Sequence, residues 1–481
     1  MDEEKLIFAI QKTINSAEVI HGWYNYHSLT YLICLITALT HFPAASGADW
    51  SETVQKLSQY VDSTSFTHLL RAVFAVLTAS TALFAVLAAR AVRAGSLSAA
   101  VSAAIVLASF EVFYHARWIA PDPLLMLAGA MTLASALWAA RDQRLPVLLL
   151  SATCAGLATA AKYPGGCLLL LPLIVAARGP SFSSRAVCVL AAFIATYLLV
   201  TPGTIVDPLR FVRDVHSEME HYRSIGHDAY TVAAGWQHLS GMLDYLSFRL
   251  VSPFPALSVL VIATALAGAA IIWRRDKRSA LLLTLIPLLY VAYMATNRVM
   301  IIRNLLLIMP FIAVLVGVAV DALARLVRPG IARTAIPLAV VALLALNWPS
   351  FFHATTSLRD ADPEAWRKSI QAYIVVHSDR RFAASPQVAA LLSSPPEGSS
   401  VSIHPPESAD AYLFMLGEHA DAYTSQLFPR RLVNSRNLYR VVAGPDDVDL
   451  DYYANWSGLK RVIAVDAPVA GLLTGLPFSD K

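Results

Sequence analysis

Apolar runs separated by short polar connections dominate the chain as far as residue 347. The first 27 residues are mixed, with Leu6, Ile7, Ile10, Ile14 and Val19 to Ile20 at helical spacing; this predicts a helix lying on a surface, not one crossing it. The run SLTYLICLITALTHF, residues 28 to 42, is apolar but shorter than the roughly 20 residues a span needs, so it reads as a short span or an interfacial helix. Residues 46 to 66 are polar. Ten longer apolar blocks follow, at 67–92, 96–113, 122–140, 145–160, 164–178, 186–201, 252–272, 279–296, 304–327 and 331–347.

The connections between these blocks alternate in charge. RAVRAG, RDQR, RGPSFSSR, RRDKR and RLVRPGIAR follow the first, third, fifth, seventh and ninth blocks, and all are basic and compact. By the positive-inside rule these five face the cytoplasm. The connections at 114–121, 161–163, 202–251 and 297–303, and the tail from 348, then face outward.

Residues 202–251 are too long for a simple turn and carry aromatic and helical patterning, which marks a functional loop. In the tail, apolar runs such as RFAASP, SVSIHP and RVIAVDAP alternate with helical patches such as DPEAWRKSIQAYIV. That pattern predicts a small soluble α/β domain. The expected organisation is a first outer loop with membrane-skirting helices over 1–66, a transmembrane bundle over 67–347 and an extracytoplasmic domain over 348–481.

Composition agrees with a polytopic α-helical membrane protein carrying some soluble mass. Of 481 residues, 57% are apolar and 15% charged, and the mean hydropathy is +0.55. The net charge of +4 matters less than its placement, and no nucleic-acid partner is expected. Cys34, Cys154, Cys167 and Cys188 lie in apolar runs without CxxC spacing, which argues against a zinc site or a disulfide framework. The acidic MDEEK start lacks the basic region of a cleavable signal peptide.

Charged residues near hydrocarbon cost about 2.5 to 3.5 kcal/mol on insertion scales, so those at the outer ends of the blocks need a reason. They are Glu111, Arg117, Asp122, Lys162, Arg298 and Arg303. Each also has an ordinary account. Asp122, between Pro121 and Pro123, fits helix capping; Lys162 fits snorkelling; an interfacial arginine fits a lipid headgroup contact. His221, His227 and His238, with Glu218, Glu220 and Asp228, match no zinc spacing, and no metal or cofactor is expected. Asn455 lies in an NWS sequon, a glycan acceptor only in a secretory host. Neither GxxxxGKS nor a GxGxxG opening a helix is present, which excludes those nucleotide cradles.

The stretches YHARWIAPDPLLMLAGAMTLASALWAA and GLATAAKYPGGCLLLLPLIVA resemble the third-to-sixth-helix core of GT-C fold glycosyltransferases that use lipid-phosphate sugars. Protein O-mannosyltransferases and the aminoarabinose transferase acting on lipid A are such enzymes. DEEKLIFAIQKTI resembles the Asp-Glu motif that opens that family's first outer loop, and YNYHSLTYLI an aromatic, proline-rich helix later in it. His27 and Ser28 stand where proline is frequent. FVRDVHSEMEHYRSIGHDAY resembles the loop after the seventh helix. NRVMIIRNLLLIMPFIAVLVG resembles the Arg-Tyr-Leu-Leu-Pro-Leu-Pro segment, with Asn304 in place of the tyrosine. The resemblance spans about residues 2 to 350. It implies that 28–42 skirts the membrane, and that the family's first span would precede the Asp-Glu motif near which this chain starts.

It also implies an inverting transfer of a mannose-like hexose from a polyprenyl or dolichyl phosphate to an acceptor hydroxyl. The acceptor is a protein, lipid or glycan, and the expected home is a bacterial inner membrane. A phosphate leaving group needs no general acid, but it needs cations to meet the charge it develops, and the acceptor needs a base. By its match to the motif, Asp2 is the expected base, with Glu3 beside it and Asp122 orienting acceptor or sugar hydroxyls. Lys162, Arg303, Arg298 and Arg117 are the expected phosphate ligands, with His221 and His227 beside donor or acceptor. The competing readings are a transporter or flippase for a lipid-linked sugar, and a catalytically silent homologue.

Overall fold

The structure, a computed structural model, describes residues 2–16, 24, 28–42, 49–116, 118–179, 181–225, 231–327, 335–336, 338–342, 345–347, 370–377, 399–400 and 411–417. The amphipathic stripe at the start forms α1 (Asp2–Ser16), which buries Leu6 and Ile10. Its Thr13 hydroxyl meets the Tyr31 hydroxyl at 2.5 Å on α2 (Ser28–His41). The polar stretch after it is a helix too, α3 (Trp50–Val61). Asp49 caps it by accepting the Glu52 amide at 2.7 Å, an N-cap-to-N3 pattern, and Leu57 and Val61 supply the buried side. Helix α1 packs against both α2 and α3 before the long helices begin.

The long helices are α4 (Thr64–Ala91), α7 (Pro121–Asp142), α10 (Phe182–Val200), α14 (Pro255–Arg275), α15 (Lys277–Ala295) and α16 (Met309–Leu326), the last entered through a 3-10 turn at Ile302–Ile308. Among the described residues, six segments are long and apolar enough to cross a membrane. Four apolar helical segments are shorter: α2, α5 (Ser96–Ala108), α8 (Leu145–Ala161) and Tyr163–Ala176, which is a 3-10 turn continuing into α9 (Leu170–Ala176). The run expected to continue to 113 stops because Ser109 turns extended. Its hydroxyl donates to the Leu250 carbonyl at 2.8 Å, and the chain restarts as the short α6 (Phe110–His115). The predicted block 331–347 lies largely outside the described residues.

Alanine, glycine and serine let the central helices approach closely. Gly268 on α14 faces the Leu315 carbonyl of α16, and Gly317 on α16 faces Ser98 and Ser102 of α5. Helix α7 and the 302–326 segment are mostly buried, whereas α10 buries little of its apolar length. Between α10 and α14 the long loop folds into α11 (Gly203–Val206), α12 (Pro208–Glu220), a π turn at His221–Ile225 and α13 (Trp236–Phe248).

The chain divides into two compact units, Met1–Phe352 and His353–Lys481. In the second, β1 (Ile370–His377), β2 (Ser399–Ser400) and β3 (Ala411–Gly417) form an antiparallel sheet in the order β1-β3-β2. The end of DPEAWRKSIQAYIV, expected to be helical, is therefore strand: its β-branched and aromatic run favours the extended chain. Among the described residues of this unit there are strands and no helix, and the expected α/β domain is not shown.

Candidate functional site

Pro121 and Pro123 fix where α7 begins. Ala120 is extended, proline at the first helical position loses no hydrogen bond, and Asp122 lands in the first turn where the helix dipole favours a carboxylate. Helix α8 runs back antiparallel and stops at Ala161. Lys162 is extended, and its carbonyl takes the Gly165 amide at 2.7 Å as the chain turns into the Tyr163–Leu169 3-10 segment. The end of α8 thus lies beside the start of α7, opposite the basic RDQR connection.

There the Lys162 Nζ donates to Asp122 Oδ1 at 2.6 Å and to Asn304 Oδ1 at 2.5 Å. On the other carboxylate oxygen, Oδ2, Arg303 Nε stands at 3.0 Å. Asn304 is held in turn by the Tyr290 hydroxyl, which donates to its carbonyl at 3.0 Å. Exposure grades across the group: the side chains of Asp122, Lys162 and Arg303 are 1%, 10% and 19% exposed. Two cations share one carboxylate, so the cluster carries a surplus positive charge with arginine outermost.

Aromatic side chains wall this group. The Arg303 guanidinium lies 5.7 Å from the Trp118 ring centre, and Trp118 packs against His115 at 4.9 Å and Tyr114 at 5.5 Å between ring centres. His115 Nδ1 donates to the Glu111 carbonyl at 2.9 Å, with a Glu111 carboxylate oxygen 3.4 Å away. Burial pulls the His115 imidazole down to about 4, against the pull of that carbonyl, so it stays neutral at physiological pH. Burial pushes the Glu111 carboxyl up to about 7, opposed by the Tyr245 phenol and by Arg249. For Lys162, burial is the largest single influence and works against the charge, but the Asp122 carboxylate, the hydrogen bond to it and the Tyr222 phenol together hold the ammonium above its usual range. Tyr222, in the π turn after α12, is close enough to couple electrostatically to Lys162, Asp122 and Arg303, and burial raises its phenol.

Of the residues expected at a site, the structure brings Asp122, Lys162 and Arg303 together. Arg298 is exposed and meets the loop: its guanidinium donates to the Ser224 carbonyl at 2.6 Å and its amide to the Tyr222 carbonyl at 2.8 Å. His221 is half-buried in the π turn, its ring edge-on to Tyr222 at 5.9 Å. Its loop companion His238 is buried, with Nδ1 donating to the Asn297 carbonyl at 2.7 Å. Asp2 and Glu3 sit in the first turn of α1, but their side chains lie outside the described residues. So do Arg117, His227, Asp228 and Asn455. Asn304 was visible in the sequence only as a departure from a motif, and Trp118, His115 and Tyr222 only as aromatics in polar loops.

Residues 29–205 match the family model of the dolichyl-phosphate-mannose-protein mannosyltransferases. Among solved structures, ArnT from Cupriavidus metallidurans bound to undecaprenyl phosphate is similar with a TM-score of 0.54 at 13% identity, over 100% of this chain and 91% of that one. The same protein in its apo state aligns with a TM-score of 0.46 and 13% identity, over 74% of this chain and 66% of that one. The apo Archaeoglobus fulgidus oligosaccharyltransferase gives 0.47 and 13%, over 97% of this chain and 60% of that one. No curated protein matches the chain in sequence.

Proposed function

We propose that this chain, a membrane glycosyltransferase of the PMT family with the GT-C fold, moves a mannose-like hexose from a polyprenyl or dolichyl phosphate to an acceptor hydroxyl, with inversion. The observation that carries the reading is the convergence of Lys162 and Arg303 on Asp122 at the helix ends opposite the RDQR connection. A lipid-phosphate donor delivers an anion to a membrane surface, and this is a cationic, partly desolvated place to receive it.

In the reaction the acceptor oxygen attacks the anomeric carbon while the bond from that carbon to the phosphate oxygen breaks. The phosphate leaves with the electron pair, and its growing charge falls toward Arg303 and Lys162. The acceptor proton goes to a carboxylate, for which Asp2, with Glu3 beside it, remains the assignment from the motif resemblance. Both Asp122 oxygens face cations, so in this reading it holds Lys162 and Arg303 in place, beside the role of orienting acceptor or sugar hydroxyls assigned from the resemblance. Arg117 and Arg298 are assigned to the donor phosphate as well, and His221 and His227 to the donor or acceptor side; the Arg298 guanidinium also donates to the Ser224 carbonyl of the loop.

In this reading the shorter apolar segments other than α2 also cross the membrane, giving about ten spans with 331–347. α2 skirts the surface, the basic connections face the cytoplasm, and the 202–251 loop and the tail from 348 lie outside. A bacterial inner membrane is the expected home, and the acceptor is a protein, lipid or glycan. The test is transfer of radiolabelled sugar from polyprenyl-phosphate mannose, glucose and aminoarabinose in membranes containing the chain. Transfer from one donor, abolished by Asp2→Asn with the protein still inserted, supports the reading. Transfer unaffected by Asp2→Asn removes the assigned base. Absence of transfer from all three, with the protein folded, returns the silent homologue.

A further inference from the structure

Helix α12 presents two sides of different character. Its start is set by Asp207 and Pro208: the Asp207 carboxylate accepts the Arg210 amide at 3.4 Å, and proline at the first helical position loses no hydrogen bond. One turn apart on one side, Phe211 and Asp214 meet protein. The Phe211 ring stands 5.6 Å from that of Tyr24 and 6.2 Å from that of Tyr163, the neighbour of Lys162, and Asp214 Oδ2 accepts the Tyr24 amide at 3.2 Å. On another side, Leu209, Val212 and Met219, at i, i+3 and i+10, form an exposed apolar stripe, with Leu209 85% exposed. His216 lies in the stripe, and exposed Arg213, Ser217 and Glu220 flank it.

The apolar surface does not begin with α12. Helix α10, one of the six segments long and apolar enough to cross a membrane, buries little of its apolar length, and its last turn carries Leu199, 81% exposed. Exposed Ile205 and Val206 of α11 follow, and then the stripe. We propose that the Leu209, Val212 and Met219 side of α12 docks on the phospholipid surface of the membrane that α10 crosses, seated at the boundary of headgroups and acyl chains, while Phe211 and Asp214 hold the helix to the bundle. An amphipathic helix in that position buries its apolar side at the boundary and keeps its polar flank in water. Arg213 and Glu220 bring opposite charges to the flank, so the seat runs on apolar burial, and the His216 ring, apolar in body and polar at its tip, suits headgroup depth. Lipid thus steadies from one side the helix that packs from the other on Tyr163. The inference depends on α10 crossing the membrane and stands whichever sugar is transferred.

The experiment places a nitroxide label, one site at a time, on the full chain with its four native cysteines replaced by alanine, reconstituted in phosphatidylcholine nanodiscs. The labelled sites are Leu209→Cys, Val212→Cys and Met219→Cys on the stripe, Ser217→Cys on the flank and Leu199→Cys at the end of α10, each protein checked for thermal unfolding. Power saturation compares collision of the label with oxygen, which concentrates in lipid, and with a water-soluble nickel complex. The oxygen-to-nickel ratio at the stripe sites is expected to match that at Leu199→Cys and to exceed that at Ser217→Cys by at least about fivefold. Val212→Glu, which puts a charge in the stripe, is expected to lower the ratio at Leu209→Cys toward the Ser217→Cys value while unfolding in detergent stays unchanged. If one stripe variant does not fold, the other two decide. A ratio at the stripe equal to that at Ser217→Cys overturns the proposal, since the stripe then faces water. Shielding from both reagents overturns it too, because protein then covers the stripe, whether the tail of this chain or a second copy. A Leu199→Cys label that prefers nickel removes the membrane from the end of α10, and the proposal falls with it.

Discussion

Asp122 and Lys162 stand 40 positions apart in the chain and 2.6 Å apart in the fold, both nearly removed from solvent. A buried pair of this kind adds little net stability when intact, yet removing one partner strands the other charge. Here the stranding is doubled, since Asp122 also faces Arg303. Asp122→Asn is expected to cost about 3 to 5 kcal/mol, seen as a lower unfolding temperature in detergent. Asp122→Asn/Lys162→Met removes both charges and is expected to recover part of that stability without recovering transfer. Equal unfolding temperatures for wild type and Asp122→Asn would show that the pair is not electrostatically closed.

Asn304 gives Lys162 its second acceptor at 2.5 Å and is 2% exposed. Asn304→Leu leaves the ammonium with one protein acceptor in a desolvated place, at an expected cost of about 1 to 3 kcal/mol. The donor KM should rise as Lys162 is freed to lean on Asp122 alone. Asn304→Asp instead adds a negative charge beside the proposed phosphate site, so it is expected to hold stability better and to weaken donor binding more. Steady-state kinetics with donor and acceptor varied in turn separate the two variants.

Helices with a strong apolar signal were legible in the sequence to within a few residues, because burying roughly 20 apolar residues leaves a helix few alternatives. α3 was not, because its signal is an N-cap and two apolar positions inside a polar stretch. The break at Ser109 was hidden for another reason: the residue that stops the helix is satisfied by the Leu250 carbonyl, 141 positions away. The cluster was half legible. Charges at apolar borders flag Asp122, Lys162 and Arg303 one by one, but their convergence depends on α7 and α8 lying antiparallel and on the Ile302–Ile308 turn reaching both. The same flag on Arg298 said nothing of the loop partner it has in the fold, the Ser224 carbonyl.

Gly268 tests the packing that holds α16 centrally. A Cβ there would land on the Leu315 carbonyl oxygen, a backbone atom that no rotamer change can move. Gly268→Ala is expected to force α14 away from α16 and cost about 1 to 3 kcal/mol, read as a fall in unfolding temperature. Gly166→Ala, whose Cβ would meet only Thr159 at ordinary contact distance, is expected to cost less and serves as the control. A Gly268→Ala protein as stable as wild type would mean that the two helices are free to separate.

Glu111 makes stability depend on pH in a direction that its burial sets. Its carboxyl titrates near 7 in the folded chain against an ordinary 4.5, so the folded state holds its proton more tightly than the unfolded one. The stability this contributes is fully present below about 4.5 and is lost as pH rises through about 7, up to roughly 3 kcal/mol in all. His115, lowered to about 4, acts in the opposite sense: its contribution is present above 6.5 and lost as pH falls through about 4. Glu111→Gln keeps a neutral side chain of the same size. Its unfolding temperature relative to wild type is therefore expected to rise from pH 5 to about pH 7 and to level off toward pH 8, while any acid-side loss due to His115 persists. Thermal unfolding of both proteins at pH 5, 6, 7 and 8 reads the difference directly. A constant difference across that range would show that the Glu111 carboxyl titrates as an ordinary exposed acid.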